Sequence, residues 1–380
     1  MRIGLVVDAS MNVPGGVQEY VRGLYDYLNT AGHSPSIITA PEAPNPADQA
    51  RHVLKIGHRI DVHRVTGVSA AAALTWADSD TIDQFLARER FDVLHYMAPT
   101  GVLSNQIIAR SKATNILTLL ITKDKIGAWL MAAALFRATW GRLLTPHIHG
   151  RIAISAPARD YGLHWYPGPC TIIPAGINVS RFCPDRGQRN GKVEGKLTVL
   201  FVGRLDPRKG IPHLLEAYAK VRQNHHNLRL VLVGNGPEAE TSRAYVEAHH
   251  VPDVEFTGQV SADALPYYYQ TADIFCAPAY ENESFGVVLL EAMAAGLPIV
   301  GYANEGYSAV LTGEAQMALA PPGDVEALTQ RLSKVTSDHR LRQRLSEWSR
   351  RTVQRYSWQS VGEQIVAFYQ QVIAQQARAR

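Results

Sequence analysis

Residues 197–210 read LTVLFVGRLDPRKG, and this stretch decides the fold. Leu197–Val202 is a short unbroken apolar run, the pattern of a strand covered on both faces. It stops at Gly203, and a loop carrying Arg204, Asp206, Arg208 and Lys209 closes at Gly210 before a helical stretch. The same unit, an apolar strand ending in glycine before a helix, recurs at Leu228–Val233 with Gly234 and at Val254–Thr257 with Gly258. Strands at Ile274–Ala277 and Ile299–Tyr302 complete the series. Strands alternating with helices predict α/β architecture, a parallel sheet wound on both faces.

The first half of the chain has the same architecture without repeating the sequence. A strand at Ile3–Val7 leads through the loop Asp8–Gly16 into a helix at Val17–Asn29, whose apolar stripe is Val17, Tyr20, Val21, Leu24, Tyr27 and Leu28. Further strands are expected at Pro35–Thr39, Asp92–His95, Asn115–Thr122 and Arg151–Ile154. The polar stretch DRGQRNGKVEGK ending at Lys196 has three glycines and no period, so it reads as a linker. The expected organisation is an N-terminal doubly wound domain at 1–185, a linker at 186–196, a second doubly wound domain at 197–356 and a final helix at 357–380. That helix carries Val361, Ile365, Phe368, Tyr369 and Val372 on one face, which should pack back across the domain boundary. Two such domains place the carboxyl ends of their strands around a central cleft, where ligands of open α/β sheets bind.

Composition narrows the function. With 46 % hydrophobic and 19 % charged residues among 380, the chain is globular and not disordered. A net charge of +4 argues against a generic nucleic-acid binder. Cys170, Cys183 and Cys276 are too few and too scattered for a disulfide framework or a four-cysteine zinc site, which fits a reducing cytoplasm. The run Ile3–Val7 is too short for the apolar core of a signal peptide, and Ile126–Phe136 is about half of the roughly 20 residues a membrane span needs. Any work at a membrane is expected from its surface.

Three loops could carry chemistry. Gly15 and Gly16 open a helix, and paired glycines there let backbone amides approach a phosphate; a plain tight turn is the alternative. Arg204 and Lys209, at a strand's carboxyl end, could share a diphosphate; a solvated basic turn is the alternative. In ENESFGVVLLE at 281–291, Ser284 is placed to cap a helix and leave the amides of Phe285 and Gly286 free. Glu283 lies at the mouth and Glu291 about two turns deeper among apolar residues. Burying Glu291 requires partners: a ribose diol, or a group of the protein itself.

These clusters resemble glycosyltransferase family 4, with its two-Rossmann-domain (GT-B) fold. The likeness is greatest to phosphatidylinositol mannosyltransferase-like enzymes that open with a PGGVQ-type loop. MRIGLVV, VPGGVQEYV, FDVLHYMAP, VGRLDPRKG, LVGNGPE and ESFGVVLLEAMAAGLPIV carry the resemblance over nearly the whole chain. It implies a retaining transfer of a hexose, mannose from GDP-mannose, to a lipid-linked or polyol acceptor, with the nucleotide sugar as substrate and no separate cofactor or metal. It also implies roles: Arg204 and Lys209 on the donor diphosphate, Glu283 on the transferred sugar, Glu291 on the ribose, Gly16 on the phosphates, and Gln18 towards an acceptor. The base-side turn Gly258–Val260 is largely backbone, so a UDP-sugar-dependent glycolipid or polysaccharide transferase is the alternative. Where relatives carry a histidine beside the sugar, this chain has Ile121, which cannot hydrogen-bond a hydroxyl; Ala9 likewise stands where they carry an aromatic residue. A nucleotide-sugar-binding pseudoenzyme or partner subunit is therefore a further alternative; His95, on the preceding strand end, could substitute, although a lone histidine there is more often structural.

Asp78 and Asp80 mimic a metal-binding D-x-D, but Asp78 is better placed to cap a helix beginning near Thr81. The pairs His225-His226, His249-His250 and His147/His149 lack partners at metal spacing and read as surface histidines. Within 110–159, eight Lys and Arg face Asp124 alone, a net of seven positive charges around an apolar stretch with Trp129, Phe136 and Trp140. This composition predicts docking on an anionic membrane surface, hence peripheral association with the inner face of the cell membrane; a core helix is the alternative.

Overall fold

In the computed structural model, residues 1–12, 15–43, 45, 48–61, 73–97, 101–120, 139, 141–183 and 192–379 are described. They form two compact units, Met1–Gly176 with Trp358–Arg380, and Ile177–Ser357.

The first unit is built on a seven-stranded parallel sheet. Its strands are β1 (Arg2–Val7), β2 (Ser34–Thr39), β3 (Val53–Lys55), β6 (Val93–Met97), β7 (Thr114–Leu119), β8 (Gly150–Ala153) and β9 (Thr171–Ile172), in the order β3-β2-β1-β6-β7-β8-β9. Strands β4 (His58–Asp61) and β5 (Ala73–Trp76) pair antiparallel as a separate ribbon. The central strands are buried along their whole length, as Val93–Met97 and Thr114–Leu119 show, because helices cover both faces. The strand order reverses between β1 and β6, the position at which such sheets bind ligands.

The final helix, Trp358–Ala379, belongs to this first unit. Its stripe Val361, Ile365, Tyr369 and Val372 is buried, so the packing expected across the boundary is present. Trp358 meets Tyr20 edge-on at 5.3 Å, and a Cβ on Gly23 would lie 1.9 Å from its indole nitrogen, so only glycine admits the ring there.

The second unit has six parallel strands, β10 (Leu197–Val202), β11 (Leu228–Val233), β12 (Val254–Gly258), β13 (Ile274–Ala277), β14 (Ile299–Tyr302) and β15 (Leu319–Ala320), in the order β12-β11-β10-β13-β14-β15. Its switch point lies between β10 and β13. The unit begins at Ile177, ahead of the boundary expected at 185. The reason is packing: Phe182 of the short helix Val179–Phe182 is buried and meets Tyr269 edge-on at 5.4 Å, and the Ile177 amide donates to the Tyr356 carbonyl. Residues 186–191 of the expected linker lie outside the described residues.

Candidate active site

Two loops leave the switch point of the second unit. After β10, residues 203–210 pass through a 3-10 turn, Pro207–Lys209, into the helix Ile211–Asn224. After β13, residues 278–286 lead into the helix Val287–Ala294. The loops are knitted together: the Tyr280 amide donates to the Arg208 carbonyl, and a Cβ on Gly210 would lie 2.2 Å from the Pro278 carbonyl oxygen.

This packing brings Lys209 and Glu283 together. The Lys209 ammonium donates to Glu283 Oε1 at 2.5 Å, and the Arg208 guanidinium donates to the same oxygen at 2.9 Å and to the Asn282 carbonyl at 3.2 Å. Sequence reasoning missed Arg208; its place in the same basic turn was the available signal. Arg204 is exposed and makes no ion pair among the described residues, so of the expected basic pair only Lys209 reaches Glu283.

The helix Val287–Ala294 opens at Gly286, not at Ser284. Gly286 sits at φ 91° with no side-chain cap, a conformation that disfavours other residues, and a Cβ there would strike Tyr307 at 2.6 Å. An uncapped start leaves its first amides for solvent or a ligand. Phe285 is buried edge-on against Tyr356.

Glu291 is buried, and Tyr269 Oη donates to its Oε2 at 2.6 Å, the short distance of a charge-assisted bond. The expected partner for this carboxylate thus includes a group of the protein, which the YYY run at 267–269 had not suggested. Burial and the neighbouring Glu291 charge push the Tyr269 phenol well above its ordinary range, so it remains a donor.

In the first unit, helix Gly16–Thr30 also opens without a side-chain cap. A Cβ on Gly15 would lie 2.7 Å from Gln18 Oε1, whereas one on Gly16 would meet nothing within 4 Å. Packing therefore explains Gly15, and Gly16 borders open space. Gln18 is only 4 % exposed, and its side-chain nitrogen donates to the Ser10 carbonyl at 2.6 Å. It braces the loop from beneath. Glu42 accepts from Ser10 Oγ at 2.6 Å and from the Met11 amide at 3.0 Å, so the loop is fixed from both sides. At the end of β1, Asp8 is buried and accepts from the Gly101 amide at 2.9 Å, tying β1 to the start of helix Val102–Arg110. Burial pushes its carboxyl above the usual range.

His95 is fully buried. Its Nδ1 is 2.5 Å from the Tyr369 hydroxyl, and its Nε2 is hydrogen-bonded with Thr118. Both ring nitrogens are engaged within the protein, so His95 does not stand in for the missing histidine. Ile121, the whole apolar stretch 126–136 and the aromatics Trp129, Phe136 and Trp140 lie outside the described residues. Of the cations in 110–159, Arg151 is buried with Nε donating to the Tyr166 carbonyl, Arg110 is paired with Asp83, and Arg159 with Asp160. These three described cations are thus engaged within the protein.

Asp78 caps helix Ser79–Glu89 through the Thr81 amide at 2.8 Å, as expected. Among the described residues, no group of three or more His, Cys, Asp and Glu could hold a metal ion, and no helix is long and apolar enough to cross a membrane.

The family model described as Glycosyltransferase Family 4 matches residues 14–181, and that described as Glycosyl transferases group 1 matches 185–352. The chain belongs to glycosyltransferase family 4. It is 32 % identical over its whole length to the phosphatidyl-myo-inositol mannosyltransferase of Mycobacterium tuberculosis, covering 99 % of that protein. It is 31 % identical to the Mycobacterium leprae protein of that name, over 98 % of this chain and 97 % of the relative. Among solved structures, sucrose-phosphate synthase from Thermosynechococcus elongatus superposes with a TM-score of 0.75 at 22 % identity, over 98 % of this chain and 99 % of that one. The lipopolysaccharide glycosyltransferase WaaG gives 0.66 at 19 %, over 97 % and 99 %. These likenesses establish the two-domain GT-B fold of this glycosyltransferase.

Proposed function

We propose that this glycosyltransferase moves mannose from GDP-mannose, with retention of configuration, onto a lipid-linked or polyol acceptor such as phosphatidylinositol at a membrane surface. The observation that carries the reading is the cluster of Lys209, Arg208 and Glu283 at the switch point, with Glu291 held in the helix that follows the Glu283 loop. Full-length similarity to mannosyltransferases named for phosphatidyl-myo-inositol supports mannose as the transferred sugar and this class of acceptor.

Lys209, with Arg204 and Arg208, holds the donor diphosphate. These cations and the uncapped amides that follow Gly286, at Val287 and Val288, stabilise the charge that grows on the leaving phosphate. Glu283 accepts from a hydroxyl of the sugar, and Glu291 from the ribose. As the bond between the anomeric carbon and the phosphate oxygen breaks, the acceptor oxygen bonds that carbon from the same face. The departing phosphate takes the acceptor's proton. Gly15 and Gly16 offer a second open helix start to phosphate. The enzyme works without a resident cofactor, from the inner face of the cell membrane.

Thermal unfolding with GDP, UDP and ADP tests the donor. GDP is expected to stabilise most, by about 2.7 kcal/mol at a hundred times its dissociation constant. Preference for UDP would move the reading to a UDP-sugar transferase, and no shift with any nucleotide at millimolar levels would remove the donor site. A GDP shift with no transfer to any acceptor would favour a nucleotide-sugar-binding pseudoenzyme, the reading motivated by Ile121.

A further inference from the structure

We propose that the helix His339–Val353, continued to Arg355, is a docking surface for an anionic phospholipid bilayer. Residues 339–355 carry six arginines against Glu347 alone, a net of five positive charges where the whole chain has four. Leu341, Leu345, Trp348, Thr352 and Val353 are buried, which turns Arg340, Arg344, Glu347, Arg351 and Arg355 outward at spacings of three and four along one stripe. All four of these arginines are exposed, and the stripe is about 22 Å long at a rise of 1.5 Å per residue.

The facing acids are few. Glu347 sits within the stripe, Asp338 caps the helix through the Leu341 amide, and Glu314 lies 3.4 Å from Arg344. Beside the stripe, a cavity of about 490 Å³ is bordered by Lys192, His339, Arg342 and Arg350 and by the acids Asp273 and Glu347, with Lys192 paired to Asp273. The cavity lies at the amino ends of the strands, at Leu197, Asp273 and Pro298, while the other end of the stripe leads to Tyr356, edge-on to Phe285 of the site loop.

Two observations favour a bilayer over a nucleic acid. Trp348, the helix's one aromatic residue, is buried and cannot stack on bases. Met317 is exposed, with its sulfur 3.2 Å from the Arg344 guanidinium, an apolar group beside a cation as an interface takes up. The choice of a bilayer rests on the lipid acceptor proposed above; the charge of the stripe does not.

The test is co-sedimentation of the full chain with phosphatidylcholine vesicles, with and without phosphatidylglycerol, at low and high salt. Arg340→Gln/Arg344→Gln/Arg351→Gln is compared with Arg88→Gln/Lys220→Gln/Arg243→Gln, which removes the same charge elsewhere. At about five-fold per cation, the stripe variant should bind anionic vesicles roughly a hundredfold more weakly, and the control within a few-fold of wild type. High salt should abolish the difference. GDP-induced thermal shifts on the same proteins report folding and the donor site separately. Equal losses in both variants, no loss in either, or wild type that ignores anionic vesicles would overturn the proposal. A single-stranded oligonucleotide that displaces wild type from vesicles would overturn it too, assigning the stripe to nucleic acid. A missing GDP shift with vesicle binding intact would instead contradict the donor reading alone.

Discussion

Lys209 and Glu283, 74 positions apart in sequence, meet at 2.5 Å across the carboxyl ends of β10 and β13. Each is largely buried, at 15 % and 9 % side-chain exposure, so their charges answer one another in a partly dry site. A diphosphate arriving at Lys209 and a sugar hydroxyl arriving at Glu283 would exchange this internal pair for two bonds to the donor.

Glu283→Gln removes the one carboxylate shared by Lys209 and Arg208. GDP should bind this variant as tightly as wild type or tighter by titration calorimetry, while turnover falls about a hundredfold or more, the scale of losing one preorganised contact to the transferred group. Lost GDP affinity with turnover kept would mean that Glu283 serves the nucleotide and not the sugar.

Tyr269→Phe deletes the phenol donated to Glu291. Unfolding should be easier by about 1–3 kcal/mol, the cost of taking a partner from a buried acceptor. Glu291→Gln should weaken donor binding about tenfold, or 1.4 kcal/mol, with turnover at saturating donor near wild type. An unchanged donor dissociation constant in Glu291→Gln would take the ribose from Glu291.

Gly15 and Gly16 separate packing from ligand approach. Gly15→Ala pushes a Cβ towards Gln18 and should lower the melting temperature, whereas Gly16→Ala meets open space and should leave stability unchanged. Gly16→Ala should nevertheless weaken GDP binding. Full GDP affinity in Gly16→Ala would leave the loop an ordinary turn.

Burial lowers the His95 imidazole from its ordinary 6.5 to about 3. The folded state keeps it neutral while the unfolded chain binds a proton below pH 6.5, so its contribution to stability falls as pH falls from there towards 3. Between pH 7 and pH 5 this one group should cost about 2 kcal/mol. His95→Gln should unfold with a shallower acid dependence in denaturant titrations; an unchanged slope would mean that His95 does not titrate this way.

The inner strands of both sheets were legible because short unbroken apolar runs, some ending in glycine as at Leu197–Val202, report a parallel sheet directly, whereas the edge strands β3, β9 and β15, two or three residues long, were not. The ribbon of β4 and β5 was not: Ile60 and Leu74 are exposed and Arg59 points inward, so no alternation marked it. In the site, Glu283, Glu291 and Lys209 could be picked out by spacing and resemblance. Arg208 and Tyr269 could not, since their roles come from two loops and a helix meeting in space. The start of helix Val287–Ala294 was misplaced at Ser284 because a capping side chain is visible in sequence, while a left-handed glycine stacked on Tyr307 is not.

The most direct measurement of the central claim is transfer of labelled mannose from GDP-mannose into organic-extractable product, with phosphatidylinositol vesicles as acceptor and UDP-sugars in parallel. Wild type should label the lipid from GDP-mannose, and Lys209→Ala should lose that labelling together with most of its GDP-induced thermal shift. Labelling from a UDP-sugar alone, or none from any donor by a protein that still binds GDP, would contradict the account.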